Sequence, residues 1–243
     1  MTFTRRALGA LARRLGRPEL VSAFYAGARQ EEHERIGIAA VLAATLPGDG
    51  CYVDVGSNRG QVLREAVRVS PAGRHVAFEP IPELAAQLAR EFPGVDCRQV
   101  AVGARREQAR FCHFRSLDGW SGLQRNPQIS DQQGEPEYID VQVSTLDEEL
   151  AALSPALIKI DVEGAELAVL QGAAGLLARV RPVLIFEHVA EATALYGDRP
   201  EEIWDLLANA GYRILSVTGA GPFDRDEFTR GGDIVNWLAV PES

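Results

Sequence analysis

Cysteine is scarce in this chain, and its three residues do not form a framework. Cys51, Cys97 and Cys112 share no metal-ligand spacing, and two of them fall in apolar, strand-like runs. They read as reduced structural thiols, which fits a cytoplasmic protein better than a disulfide scaffold. No apolar run approaches the length of a membrane span. Repeats, low-complexity tracts and Pro/Ser-rich linkers are absent too, so one domain is expected behind an N-terminal extension. A basic surface is also missing: the net charge is −9 and the pI near 5, which argues against a nucleic-acid partner. The first seventeen residues reverse that balance. They hold Arg5, Arg6, Arg13, Arg14 and Arg17 with no acid, and Leu8, Leu11 and Leu15 interleave at helical spacing. Arg13-Arg14 interrupts any signal-peptide core, and no small-residue cleavage site follows, so export is not expected. We divide the chain into a basic helical extension, 1–35, and a catalytic-type domain, 36–243. Residues 1–17 either pack their leucines on that domain or make peripheral contact with the inner membrane surface or a partner. The narrow apolar face favours packing.

What is present begins with Cys51-Tyr-Val-Asp-Val-Gly-Ser-Asn-Arg-Gly60, followed by Ala77-Phe-Glu-Pro80. An apolar strand enters a glycine turn, a helix follows, and a second strand ends in a carboxylate. This opens a βαβ nucleotide-binding unit, in which the second-strand acid accepts hydrogen bonds from ribose hydroxyls. Asp54 sets the turn apart. An anionic side chain there would repel the pyrophosphate of a dinucleotide. S-adenosylmethionine (SAM) has no phosphate, and its methionine end carries an ammonium and a sulfonium. The turn therefore reads as a SAM site, with a nicotinamide-dependent oxidoreductase as the competing enzyme class.

Further strands are expected at Arg74–Glu79, Val95–Val102, Ala109–Phe114, Tyr138–Leu146, Ala156–Ile160, Val183–His188, Tyr212–Val217 and Ile234–Val240. Helical patterns separate most of them, so the sheet should be largely parallel with right-handed crossovers, closed by one antiparallel edge strand. Ligands in such sheets bind beyond the carboxyl ends of the strands. Four of those ends are polar here: Asp54, Glu79, Asp161 with Glu163, and Glu187 with His188. An acid at a strand end also serves to cap the next helix, and for Glu163 and Glu166 taken alone that is the better reading. Four polar ends on one rim favour a ligand site.

The residues Asp54-Val-Gly-Ser-Asn-Arg-Gly60, Phe78-Glu-Pro80, Ser144-Thr-Leu-Asp147, Ile158-Lys-Ile-Asp-Val-Glu-Gly-Ala-Glu166, Leu170-Gln-Gly172 and Ile185-Phe-Glu-His188 resemble the FkbM family of SAM-dependent methyltransferases, in that family's order. The resemblance spans roughly Cys51 to Ala190. It implies an α/β, class I (Rossmann-like) fold with a mostly parallel seven-stranded sheet, one antiparallel strand and helices on both faces. It also implies methyl transfer to a hydroxyl of a sugar, glycan or natural product. Carried onto this chain, Asp54, Gly56, Ser57, Asn58 and Gly60 would surround the methionine end of SAM, Glu79 the ribose, and Val100 and Ala101 the adenine.

For the transfer itself, positioning of the acceptor oxygen accounts for much of the barrier, and a base near its working pH adds to it. His188 is the expected general base, assisted by Asp161 and Glu163. Lys159 and Asp161 share one strand face, so Lys159 is either a contact to the acceptor or a buried ion partner of Asp161. Asp161, Glu163, Glu187 and His188 also form a ligand set for a divalent metal, which we do not expect to be obligatory. Trp120, Gln124 and Asn126, in the loop Ser116–Asn126, are placed with Lys159 and Glu187 against the small-molecule or glycan acceptor. The non-enzymatic alternative is a silent SAM-binding or membrane-docked interaction module.

Overall fold

The computed structural model describes residues 18–115, 118–125 and 135–242. A long helix (Pro18–Thr45) leads into β1 (Tyr52–Val55). It runs through the expected boundary at residue 35 without a break, and it carries Ile38 and Leu42 into the core. The strands β2 (Val76–Phe78) and β3 (Asp96–Arg98) follow, each after a helix (Gln61–Val69 and Pro82–Glu91). Next come β4 (Ala101–Val102), β5 (Glu107–His113) and β6 (Glu137–Ser144). The chain then alternates again through β7 (Leu157–Ile160), β8 (Val183–Glu187), β9 (Tyr212–Ser216) and β10 (Asn236–Pro241).

Seven of these strands form one sheet in the order β3-β2-β1-β7-β8-β10-β9. All pairings are parallel except those of β10, which runs antiparallel to both β8 and β9. The expected class I sheet with helices on both faces is present, with one correction. The antiparallel strand is inserted between β8 and β9, and β9 is the edge. The chain can return this way because the last two strands form a hairpin-like pair around the 217–235 segment.

Each face of the sheet is buried. Val53, Val55, Ile158, Ile160, Leu184 and Phe186 point into a cluster with the helices that follow β7 and β8. Tyr52, Leu157 and Ile185 point the other way, onto Leu63, Leu88 and the N-terminal helix. Burial on both faces explains why these strands read as continuous apolar runs instead of alternating ones.

The stretch expected as a third strand, Val95–Val102, divides between two sheets. Asp96–Arg98 stays at the edge of the large sheet, Val100 N–H turns back onto Arg98 O (3.0 Å), and Ala101–Val102 pairs with β6. β4, β6 and β5 make a separate three-stranded sheet whose long β5–β6 pairing is antiparallel. Leu146, expected at the end of a strand, instead begins a helical turn capped by Thr145 Oγ1, which accepts from Glu148 N–H at 3.2 Å.

Candidate active site

The β1 turn is a rigid backbone construction. Gly56 and Ser57 N–H both donate to Phe78 O (3.1 and 3.0 Å), Ser57 Oγ donates to Asp54 O (3.0 Å), and Gly60 N–H donates to Ser57 O (2.8 Å). Gly56 has φ +78, and a Cβ there would lie 1.8 Å from Asp161 O, so the turn is wedged against the end of β7. Gly60 has φ +68, and its Cβ would strike Phe92 and Leu88. Both glycines are therefore demanded by internal packing and by the left-handed backbone, whatever ligand approaches. Glu79 is buried at the end of β2. Its carboxylate accepts from Asn58 N–H (2.8 Å) and Ile81 N–H (2.9 Å), tying the β1 turn to the β2 exit.

Two cavities flank this turn. The first is lined by Glu79, Ile81, Val100, Ala101 and Phe111, with Asn58, Asp161 and Glu163 at its margin. It is mostly apolar and draws residues from both sheets, Val55 and Phe78 from the large one and Val102 and Phe111 from the small. The second contains Asp54, Asn58, Trp120, Lys159, Asp161 and Glu187, and residues of the N-terminal helix close one side. Asp161 lines both.

The strand register builds the second cavity. Asp54 pairs with Lys159 across β1 and β7, and Ile160 pairs with Phe186, so Asp161 follows in line with Glu187 at the end of β8. Lys159 Nζ lies 2.6 Å from Asp161 Oδ2, and the lysine is only 5% exposed. It is also the single lysine of the chain. Burial works against its ammonium, but Asp161 and Asp54 outweigh this and hold the pKa above the ordinary value. Burial likewise opposes ionisation of Asp161, yet Lys159 and a hydrogen bond from Glu187 keep its carboxyl below the usual range. Glu187 takes the opposite state: burial, then the charges of Asp161 and Glu163, push it up to about 10, so it holds the proton it shares with Asp161. Asp54 is 2% exposed and raised by burial against the pull of Lys159 and of the neighbouring Tyr52 hydroxyl; its Oδ1 and Tyr52 Oη are both buried without a hydrogen bond of ordinary geometry.

After β7 the chain passes through a tight turn in which Glu163 (φ +56) and Gly164 (φ +104) are both left-handed. Glu166 Oε1 accepts from Val162 N–H (3.0 Å) and Gly164 N–H (3.3 Å), so its side chain serves the turn. Glu163 instead faces the first cavity. Burial, with Asp161 and Glu166 nearby, raises it to about 8, and burial raises Glu166 to about 7 despite its backbone donors.

His188, the expected general base, is placed apart from Asp161 and Glu163, the residues expected to assist it. Neighbouring residues of a strand point to opposite sides, so Glu187 faces the acid cluster and His188 faces away from it. The ring stacks on Phe228 (5.0 Å between centroids, 17° between planes), and Nδ1 lies 3.0 Å from Thr193 Oγ1. It lines a third cavity that does not include Asp161, and burial lowers its pKa to about 4. The alternative metal ligands Asp161, Glu163, Glu187 and His188 are divided in the same way: among the described residues no three His, Cys, Asp or Glu side chains are grouped to hold an ion.

Trp120 is 43% exposed and lies on the wall of the second cavity beside Gly119, which packs over Asn58. Gln124 is exposed and lines neither cavity; its backbone N–H donates to Tyr196 Oη (3.3 Å). Asn126 and residues 1–17 lie outside the described residues. Among those described, no helix is long and apolar enough to cross a membrane. Sequence reasoning missed the contribution of the N-terminal helix. Glu34, 4% exposed, accepts from Val235 N–H (3.2 Å), Asn236 N–H (3.2 Å), Asn236 Nδ2 (2.8 Å) and Gln30 Nε2 (2.9 Å). Its signal was available: Glu34, Ile38 and Leu42 recur every four residues, so an acid sits on an apolar helix face.

A sheet of this order, with one turn serving two cavities, defines a class I methyltransferase architecture. Residues 54–214 match the family model described as the methyltransferase FkbM domain, and the chain belongs to that family of SAM-dependent methyltransferases. A curated relative, the AMB antimetabolite synthetase AmbE of Pseudomonas aeruginosa, is 26% identical over 233 residues. That match covers 80% of this chain but only 11% of the synthetase's length. Among solved structures, the methyltransferase FkbM from Methylobacillus flagellatus superposes with a TM-score of 0.49 at 19% identity, covering 79% of this chain and 43% of that one. An O-methyltransferase from Bacillus cereus in complex with SAH gives 0.47 at 12% identity, covering 92% and 90%.

Proposed function

We propose that the protein transfers a methyl group from SAM to a hydroxyl of a sugar, glycan or natural-product scaffold. The observation that carries this reading is the pair of cavities meeting at Asp161: one mostly apolar with Glu79 at its end, the other holding a charged lysine, an ionised aspartate and a protonated glutamate. The first, about 110 Å³, offers Val100, Ala101 and Ile81 to the face of an adenine and Glu79 to ribose hydroxyls, and the rest of an adenosine would extend past Asn58 toward the second. Asp54 meets the methionine end, where its partnerless Oδ1 supplies an acceptor that an ammonium satisfies. Bound there, SAM would supply a methyl carbon already activated by its sulfonium, so the sulfur keeps the electron pair of the bond that breaks.

The chain's own residues then handle a proton. Asp161 is the group kept ionised in the acceptor cavity, and it takes the hydroxyl proton as the oxygen gains its new bond to carbon. Glu187 and Lys159 fix that carboxylate through one hydrogen bond and one ion pair, so it does not reorganise during the transfer. Glu163 is mostly protonated near neutrality, whereas Asp161 is ionised there. Trp120 offers a face on which an acceptor ring stacks.

Calorimetry with SAM, SAH and NAD tests the cofactor assignment, followed by mass spectrometry on a panel of glycosides incubated with SAM. Binding of SAM and SAH with no measurable NAD binding is expected, together with methylation of at least one hydroxyl compound. Tighter binding of NAD would overturn the assignment.

A further inference from the structure

The cavity holding His188 adjoins the acceptor cavity. The two share Gln30, Glu31 and Val235 in their walls. This partition is a built structure. Glu34, buried beneath it, accepts from both Gln30 Nε2 and Val235 N–H, while His188 N–H donates to Val235 O at 2.9 Å. A continuous chain of hydrogen bonds therefore runs from the N-terminal helix through Val235 to the end of β8. The acceptor cavity offers about 830 Å³ and its neighbour about 870 Å³. Each alone lies at the upper end of the range for small-molecule sites. A single sugar ring would leave most of this cleft to water.

The lining of the second space carries both signs, with Arg29 and Arg230 opposed by Glu31, Glu191 and Asp233. Such a surface does not select an anion or a cation, but it supplies donors and acceptors to neutral hydroxyls. His188 suits the same task. Thr193 Oγ1 lies 3.0 Å from the ring Nδ1 and 3.3 Å from Val189 O; with its hydroxyl donated to Val189, Nδ1–H donates to Thr193 and Nε2 keeps its lone pair. A ring in that state accepts a hydrogen bond across the neutral range.

We propose that this second cavity is a distal subsite for an extended, neutral, hydroxyl-bearing acceptor of at least two rings, whose reactive end lies between Trp120 and Asp161. The inference rests on the methyl-transfer reading and deepens it. Contacts made far from the reacting oxygen can be spent on holding it in line, so the longer acceptor gains in turnover as well as in binding.

The test uses the full chain and matched probes: methyl glycosides and the disaccharide methyl glycosides that end in the same ring. Turnover with SAM is measured for each pair, and binding of each probe is measured by saturation-transfer NMR in the presence of SAH. For any ring that is methylated, the disaccharide should be preferred by roughly tenfold in kcat/KM, the worth of one or two added hydrogen bonds. Arg230→Ala, at an exposed position, and His188→Gln should each reduce that ratio to near unity, whereas Arg213→Ala, exposed on β9, should leave it unchanged. Equal kcat/KM for short and long members overturns the subsite while methyl transfer stands. Binding of the longer probe that is lost in Arg230→Ala, with no probe methylated by the unaltered chain, keeps the subsite and overturns the methyl-transfer reading. Equal binding of the longer probe by both variants and the unaltered chain overturns the subsite in either case.

Discussion

The two cavities that meet at Asp161 are built by opposite strategies. On the Glu79 side, the Glu79 carboxylate is engaged by the backbone N–H groups of Asn58 and Ile81, and most of the remaining lining is apolar. On the Trp120 side, ionisable groups are crowded until burial and neighbouring charge push them apart: Lys159 stays charged, Asp161 ionised and Glu187 protonated. The first arrangement recognises a shape. The second stores protons, and its state depends on which neighbours remain. Residues of the same chemical type, Glu79 and Glu187, are thus used differently: one accepts from backbone amides and the other shares a proton with a carboxylate.

The sharpest way to break the contrast is Asp161→Asn. Turnover should fall by about two to four orders of magnitude, the range expected for loss of a general base. SAM affinity, measured by calorimetry, should change far less. A variant that keeps more than a tenth of the activity would remove Asp161 from the proton path.

Lys159→Met comes next and is read as stability. Removing the cation leaves Asp161 uncompensated, at a cost of about 3–5 kcal/mol for a broken buried pair. The urea midpoint should drop accordingly, and adding Asp161→Asn should recover part of the loss. No recovery in the double variant would mean that the pair does not act as one unit.

On the quieter side, Glu79→Ala should weaken SAM binding by roughly tenfold or more, since hydrogen bonds to a charged group are worth about 1.5–3 kcal/mol. The turnover of saturated enzyme should remain close to the original. A loss of turnover at saturation would show that the two cavities are not separable in function.

The smallest effect sharpens the contrast through pH. Glu163 titrates near 4.5 when unfolded and at about 8 when folded, so the folded state binds the extra proton between those values. Its favourable contribution is complete below about pH 4.5 and is lost as the pH rises through about 8. Glu166 behaves in the same way up to about 7. Stability to urea should therefore decline between about pH 4.5 and 8 and level off above, and Glu163→Gln should flatten that decline. An unchanged slope in the variant would remove Glu163 from the account.

Much of this was readable before the coordinates. The period-two rule placed Lys159 and Asp161 on one strand face, and their ion pair follows from it. The same rule separates His188 from Glu187, but which side of β8 opens onto which cavity is set by Phe228, Thr193 and the N-terminal helix, all distant in sequence. Apolar content alone could not show that the chain leaves the large sheet after Arg98, because the polar β3 (Asp-Cys-Arg) and the apolar β4 (Ala-Val) are only two residues apart and read as one strand. Glu34 was legible in its spacing. Its partners, Val235 and Asn236, lie some two hundred residues on, beyond the reach of local pattern.

Because Lys159 is the only lysine in the sequence, isotopic enrichment of that one amino acid places a single labelled ammonium nitrogen in the molecule. Its resonance would need no assignment and would have no competitor in the spectrum. Held 2.6 Å from Asp161 and shielded from solvent, that nitrogen senses every change in the surrounding charge. The protein thus carries a built-in spectroscopic probe at the one place where a ligand's cation, a carboxylate's proton and an incoming acceptor would all register.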